Sequence, residues 1–375
     1  MKIVAVVGAR PNLMKIAPLL REARAYPDIH CVLVHTGQHY DARMSDAFFE
    51  DLGIPAPDHY LGVGSGTHAV QTAQVMIALE PLLLDESTDV VVVVGDVNST
   101  LAAALVAAKL GMPVAHVEAG LRSFDRAMPE ELNRLLTDAI SELLFTTERD
   151  AETNLSREGI PAERMHFVGN VMIDTLLMQL ERARTLEMPA RLDVPQRGYA
   201  LLTLHRPSNV DSPEVLGRLI DVIAQAQAQF PVLFPVHPRT RARLRDSDLG
   251  ARVAALPGLR LLEPLGYLEF VGLMADARVV LTDSGGIQEE TTILGVPCLT
   301  LRENTERPVT VSEGSNQVVG TDPTRITSAL RAALAAPPAR RHAPELWDGH
   351  AAERIIRILH ARFAGERKQH ALNRR

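Results

Sequence analysis

Short apolar runs recur along this chain, each followed by a polar turn and then by a stretch in which apolar residues return every three or four positions. Continuous apolarity over a few residues marks a buried strand and a 3.6-residue period marks a helix, so their alternation predicts parallel βαβ construction. Strands are predicted at 2–7, 30–36, 89–94, 113–117, 143–146 and 165–168, then at 199–204, 231–236, 259–262, 278–282 and 296–301. The run Val90 to Val94 is β-branched throughout, as a strand covered on both faces requires. Both series follow one plan, so the expected fold class is α/β with two Rossmann-like, doubly wound parallel-sheet domains facing a cleft. The boundary is expected near Val168-Gly169-Asn170, giving domains 1–168 and 169–345, with a helical stretch at 171–187 and a proline-punctuated link from Met188-Pro189 to Gly198.

Composition narrows the function classes. A chain of 375 residues with 46% hydrophobic content can bury the cores of about two domains. The net charge of −7 argues against a nucleic-acid surface, and the basic residues Arg362, Arg367, Lys368, Arg374 and Arg375 read as a solvated helix end. Cys31 and Cys298 lie in apolar runs, as core thiols of a reducing compartment do. The opening apolar run is too short for a secretion signal and no run of about 18 apolar residues occurs, so a cytoplasmic protein without membrane attachment is expected. The histidines and cysteines show no metal-ligand spacing, so no metal is expected.

In doubly wound sheets ligands bind beyond the carboxyl ends of the strands, and the residues there carry the candidate chemistry. The first strand ends in Gly8-Ala9-Arg10-Pro11-Asn12-Leu13-Met14-Lys15, neither G-x-G-x-x-G nor a Walker loop, so no nicotinamide or other cofactor is expected. Pro11 suits a first helical turn, and Arg10 beside that N-terminus can meet an anion. Val94 leads into Gly95-Asp96; Asn98 and Ser99 are available to cap the next helix, which leaves Asp96 for chemistry. Glu118 follows the neighbouring strand and makes a second carboxylate for acid/base work. In Met128-Pro129-Glu130-Glu131 the helix dipole alone would account for one glutamate.

In the second half, His205-Arg206 and His237-Pro238-Arg239 follow strands at equivalent places and suit a diphosphate leaving group. Asp283-Ser284-Gly285-Gly286 turns a strand into a helix whose N–H groups can approach phosphates, and Glu290, further along that helix, can reach a ribose. Glu313-Gly314-Ser315-Asn316 reads as a flexible loop beside sugar or phosphate. Gly62, Gly64 and Gly66, with no predicted strand before them, read as another flexible loop.

Together these residues resemble the non-hydrolysing UDP-N-acetylglucosamine 2-epimerase family over nearly the whole chain. The likeness rests on Gly8-Ala9-Arg10-Pro11, Thr36-Gly37-Gln38-His39, Gly95-Asp96, His116 to Arg122, Pro129 to Arg134, Gly169-Asn170, His205-Arg206, Pro235-Val236-His237, Asp283 to Glu290 and Thr305-Glu306-Arg307-Pro308, in order. It departs from the family pattern at Ala9, Asn12, Val94, Leu204 and Pro207. The resemblance implies the GT-B architecture, with the C-terminal segment 346–375 packing back on the first domain. It implies Asp96, Glu118, Glu131 and His205 as catalytic residues. It implies Arg10, Lys15, Arg206, His237, Phe270, Ser284, Gly285, Gly286, Glu290 and Arg307 as substrate-binding residues, with Phe270 beside the uracil. It also implies UDP-N-acetylglucosamine and UDP as ligands, a homodimer, and a place in surface-polysaccharide synthesis.

The chemistry so implied is departure of UDP from C1 with loss of the C2 proton, giving 2-acetamidoglucal, followed by re-addition with the proton delivered to the opposite face. A 2-epimerase of a modified UDP-sugar, a hydrolysing epimerase, a GT-B glycosyltransferase and a non-enzymatic UDP-sugar sensor are the competing readings.

Overall fold

The computed structural model describes residues 1–37, 49–336 and 343–372, of which 364–372 are described as backbone. Gln38 and His39 of the family likeness lie outside the described residues, as do Arg374, Arg375 and the side chains of Arg367 and Lys368.

The first sheet is built from β1 (Lys2–Val7), β2 (His30–His35), β3 (His59–Tyr60), β4 (Val90–Val94), β5 (Val114–Ala119), β6 (Leu143–Thr146) and β7 (Met165–Phe167). Their order is β3-β2-β1-β4-β5-β6-β7, all parallel. The second is built from β8 (Ala200–Thr203), β9 (Val232–Pro235), β10 (Leu259–Leu262), β11 (Val279–Thr282), β12 (Cys298–Thr300) and β13 (Asn316–Val318). Its order is β10-β9-β8-β11-β12-β13, again all parallel. Each sheet is doubly wound: the strand order reverses once, beside β1 and β4 in the first and beside β8 and β11 in the second. The valines of β4 are fully buried, which is why that run has no polar alternation.

Two strands were not predicted. β3 is short and polar, and it directly precedes Gly62, Gly64 and Gly66, so those glycines do follow a strand. β13 takes the place of part of the flexible loop expected at 313–316. Asn316 is buried, donating to Gln288 Oε1 and Thr310 Oγ1 at 3.0 Å each and accepting from Thr300 Oγ1 at 2.6 Å. A polar side chain satisfied by buried partners reads in sequence like a solvated one.

The chain divides into two compact units, Met1–Thr175 with Glu345–Arg375, and Leu176–Pro344. The returning segment is fastened to the first unit by specific contacts. The last helix, Ala351–Leu372, lies along the helix Arg10–Ala23, and Asp174 accepts the Ala351 and Ala352 N–H groups that open it. Trp347 is buried and donates to the Thr147 carbonyl at 2.9 Å. Gly169, at φ +87°, passes so close to Leu346 that a Cβ would lie 2.1 Å from its carbonyl oxygen.

Candidate active site

In the first unit the candidate carboxylates are set by the ends of β4 and β5. Asn12 stitches the β1 and β4 ends together: its Oδ1 accepts the Gly8 and Ala9 N–H groups at 3.1 Å, and its Nδ2 donates to the Val94 carbonyl at 3.0 Å. Arg10, half-buried, is the first residue of the helix Arg10–Ala23, with Pro11 behind it. Lys15 projects from the same helix to the β4 end. A Cβ on Gly95 would sit 2.8 Å from Lys15 Nζ, so the glycine makes room for the ammonium. Lys15 Nζ pairs with Glu118 Oε2 at 2.7 Å, both side chains being almost wholly buried.

Glu118 has φ +72°, a left-handed conformation rare for a residue with a Cβ, at an irregularity where β5 shifts register against β6 between Val117 and Ala119. Such backbone costs roughly 1–3 kcal/mol and persists where its surroundings over-determine it, often at functional sites.

Asp96 and Glu131 share one guanidinium. Arg134 Nη1 meets Asp96 Oδ2 at 2.5 Å and Nη2 meets Glu131 Oε2 at 2.5 Å. Asp96 retains 25% side-chain exposure against 2% for Glu131, so Asp96 is the more open of the pair to a ligand. The Glu131 carboxylate also accepts from Ser123 N, Ser123 Oγ and Phe124 N at 2.9–3.0 Å. It therefore organises the 123–124 turn, where dipole compensation had been the simplest explanation for a glutamate. Burial pushes this carboxyl up, but the Ser123 N–H and the Arg134 guanidinium outweigh burial and hold it below the usual carboxylate range.

Asn98 and Ser99 do not cap the helix Asn98–Lys109, as had been expected; Val97 occupies the cap position without a side-chain bond. Asn98 Nδ2 instead donates to Gln71 Oε1 at 2.8 Å, and Ser99 Oγ bonds Thr36 Oγ1 at 2.8 Å.

In the second unit the roles of charge are exchanged. Asp283, fully buried at the end of β11, accepts from the His205 and Arg206 N–H groups and from Asn209 Nδ2, and pairs with His205 Nδ1 at 2.8 Å. Burial opposes its ionisation, but the His205 side chain and these N–H groups prevail and lower the carboxyl. His205 remains 39% exposed, with the exposed His237 ring 5.9 Å away. His237 caps the helix Pro238–Arg245, accepting Arg239 N at 3.2 Å.

Ser284 is the N-cap of the helix Gly285–Leu294 and makes no side-chain cap bond. Arg307 lies against Gly285, where a Cβ would be 3.2 Å from its Cζ, and its Nε donates to Glu289 at 2.9 Å. Glu306 bonds Arg302 at 2.6 and 2.9 Å and lies 3.9 Å from Arg206 Nη2. Three guanidiniums thus share two carboxylates beside an open helix N-terminus, an arrangement suited to a phosphate or diphosphate. Further along that helix Glu290 is buried and accepts from Tyr267 Oη at 3.0 Å; burial, eased by that bond and reinforced by Glu289, raises its carboxyl to about 8. Phe270 lies half-buried on the Tyr267–Ala275 helix.

The residues that the sequence motifs contained but to which no role was given are the supports: Arg134, Asp283, Glu289 and Glu306. No group of three or more His, Cys, Asp or Glu side chains that could hold a metal occurs among the described residues.

Comparison with known proteins decides the family. The family model described as UDP-N-acetylglucosamine 2-epimerase matches residues 21–360. The chain belongs to the UDP-N-acetylglucosamine 2-epimerase family. It is 44% identical over 364 residues to the UDP-N-acetylglucosamine 2-epimerase of Methanocaldococcus jannaschii, covering 96% of this chain and 99% of that one. The crystal structure of that enzyme in complex with UDP-GlcNAc and UDP superposes with a TM-score of 0.88. A second relative, UDP-2,3-diacetamido-2,3-dideoxy-D-glucuronate 2-epimerase of Pseudomonas aeruginosa, is 42% identical over 337 residues, covering 89% of this chain and 92% of that one. Membership makes the chain an epimerase of GT-B class with two Rossmann-like domains. Among the described residues no helix is long and apolar enough to cross a membrane.

Proposed function

We propose that this epimerase interconverts UDP-N-acetylglucosamine and UDP-N-acetylmannosamine. The carrying observation is the buried acid/base cluster of the first unit, Lys15–Glu118 with Asp96–Arg134–Glu131; the arginine-lined helix N-terminus of the second unit, taken by itself, supports the nucleotide part of the reading. The second unit holds UDP: Ser284, Gly285 and Gly286 donate to the diphosphate, Arg307, Arg206, His205 and His237 balance its charge, and Glu290 and Phe270 receive ribose and uracil. The first unit receives the sugar, with Arg10 and Lys15 on its phosphate side.

The C2 proton is not adjacent to a carbonyl, so it becomes acidic only as the C1–O bond breaks and its electron pair leaves with the β-phosphate. A carboxylate of the Asp96, Glu118 and Glu131 set then takes the proton as the C1–C2 double bond of 2-acetamidoglucal forms. On return, a proton reaches the opposite face of C2, the phosphate oxygen re-attaches at C1, and the C2 epimer results. Acid and base faces of this kind must be shielded from water.

The same reading places the protein in the cytoplasm, feeding a cell-surface polysaccharide, as a homodimer. Val70, Ile77 and Leu84, spaced seven apart on the helix His68–Asp85 and exposed, support association through an apolar face.

Purified protein incubated with UDP-N-acetylglucosamine and no acceptor tests the reaction. An equilibrium mixture containing UDP-N-acetylmannosamine is expected. Free N-acetylmannosamine plus UDP would identify a hydrolysing enzyme, and turnover only with an acceptor would identify a transferase. Because the Pseudomonas relative is nearly as similar, its diacetamido glucuronate sugar is the second substrate to try; exclusive turnover of that sugar would replace the first.

A further inference from the structure

Behind the carboxylates lies a second set of charges that the proposed reaction does not use. His116, in the middle of β5 and wholly buried, has Nδ1 2.6 Å from Asp138 Oδ1 and Nε2 2.7 Å from the Gly95 carbonyl oxygen. Asp138 Oδ2 accepts the Gly120 N–H at 3.0 Å and pairs with Arg122 Nη2 at 2.7 Å; Arg122 in turn bonds Glu158.

A carbonyl can only accept. Burial opposes ionisation of Asp138, but His116 and Arg122 outweigh it and keep the carboxyl below its usual range, so Asp138 also accepts. Both ring nitrogens of His116 therefore face acceptors, a carboxylate on one side and a carbonyl on the other, an arrangement that a ring carrying a proton on each nitrogen satisfies. A neutral ring would turn a lone pair towards one of these acceptors.

The placement gives this charge a consequence for the site. Gly95 immediately precedes Asp96, and Gly120 follows Glu118 by two positions. Gly95, Glu118 and Gly120 have φ of +67°, +72° and +80°, so both strand ends depart from extended backbone at the carboxylates. Asp138 lies on the helix Pro129–Ile140 with Glu131 and Arg134, spaced as i, i+3 and i+7, and all three are buried. One helical stripe thus bonds Asp96 through Arg134, the turn before Asp96 through His116, and the turn after Glu118 directly.

We propose that Asp138, acting through protonated His116, is a positioning residue that fixes Asp96 and Glu118 relative to each other. The inference rests on the proposed C2 chemistry; neither side chain is assigned contact with substrate.

The test uses the full-length protein and its Asp138→Asn and Glu158→Gln variants. Asp138→Asn should lower kcat by about a hundredfold with KM and UDP affinity changed less than about threefold, because small misplacement of catalytic groups costs about that much. Glu158→Gln, which alters only the outer partner of Arg122, should leave kcat within about twofold. Nitrogen-15 spectra of histidine-labelled protein should show both His116 ring nitrogens protonated in the wild type and a neutral ring in Asp138→Asn. If Asp138→Asn fails to fold, His116→Gln takes its place, with the same kcat and KM pattern expected. Unchanged kcat in the Asp138 variant, a loss confined to KM, or a neutral His116 in the wild type would each overturn the proposal. Absence of epimerisation by the wild type would instead break the functional reading, while the nitrogen spectrum would still decide the charge of His116.

Discussion

The two units have the same sheet plan and opposite chemistry at their strand ends. In the first, carboxylates are the candidate reacting groups and cations hold them: Lys15 on Glu118, Arg134 on Asp96 and Glu131. In the second, the cations are the candidate ligand groups and carboxylates hold them: Asp283 on His205, Glu306 beside Arg206, Glu289 on Arg307. The fold fixes where a ligand can bind, and the pairing of charges at those places decides what is done to it. The proposed function assigns proton transfer to the first unit and nucleotide binding to the second, so mutations should separate the two properties.

The largest effect expected is on proton transfer. Asp96→Asn and Glu118→Gln should each lower kcat by about a thousandfold, the usual scale of general acid/base loss, while calorimetry finds UDP affinity unchanged. A matched fall in UDP affinity would show that the division is wrong. Arg307→Ala should do the converse. It removes a charge from the helix N-terminus together with the Nε bond to Glu289, weakening UDP binding about thirtyfold, or ~2 kcal/mol. The catalytic step measured with saturating nucleotide sugar should change less than the affinity does.

The remaining effect is on stability, not on activity, and sharpens the contrast between the buried acids. Glu290 has its carboxyl raised from 4.5 to about 8, so between these values the folded protein holds a proton that the unfolded chain has lost. Stability therefore falls as pH rises through that window, by at most about 1.4 kcal/mol per pH unit from this group. Glu290→Gln should flatten that slope in denaturant titrations from pH 5 to 8. Asp283, whose carboxyl is lowered, works in the opposite sense: its stabilisation is present above its unfolded value of 3.8 and is lost as pH falls through the lower folded value. An unaltered slope in the Glu290 variant would assign the pH dependence to other groups.

The strands that could be read in the sequence were those whose burial on both faces makes them apolar, such as Val90 to Val94. β3 and β13 escaped because His59–Tyr60 is short and polar, and because Asn316 is satisfied by Gln288, Thr300 and Thr310, residues distant in the chain or on other elements. The strand-end rule pointed to Asp96, Glu118 and His205, since it needs only the end of an apolar run. It could not supply their partners. Arg134 reaches Asp96 across 38 positions, and Asp283 reaches the His205 N–H across 78, through strand adjacency that no local pattern encodes. One trace was present: Glu131, Arg134 and Asp138 form a polar stripe on the helix Pro129–Ile140, where the spacing alone marked a shared face. Asn98 and Ser99 misled because capping is the commonest use of such side chains at a helix start, and here lateral packing claims both.

Proton exchange at C2 tests the central claim most directly. Wild-type protein incubated with UDP-N-acetylglucosamine in heavy water should place deuterium at C2 of both epimers, at rates that collapse in Glu118→Gln although UDP still binds. Epimers formed without deuterium, or deuterium entering at the wild-type rate in that variant, would contradict the assignment of proton transfer to the carboxylates of the first unit.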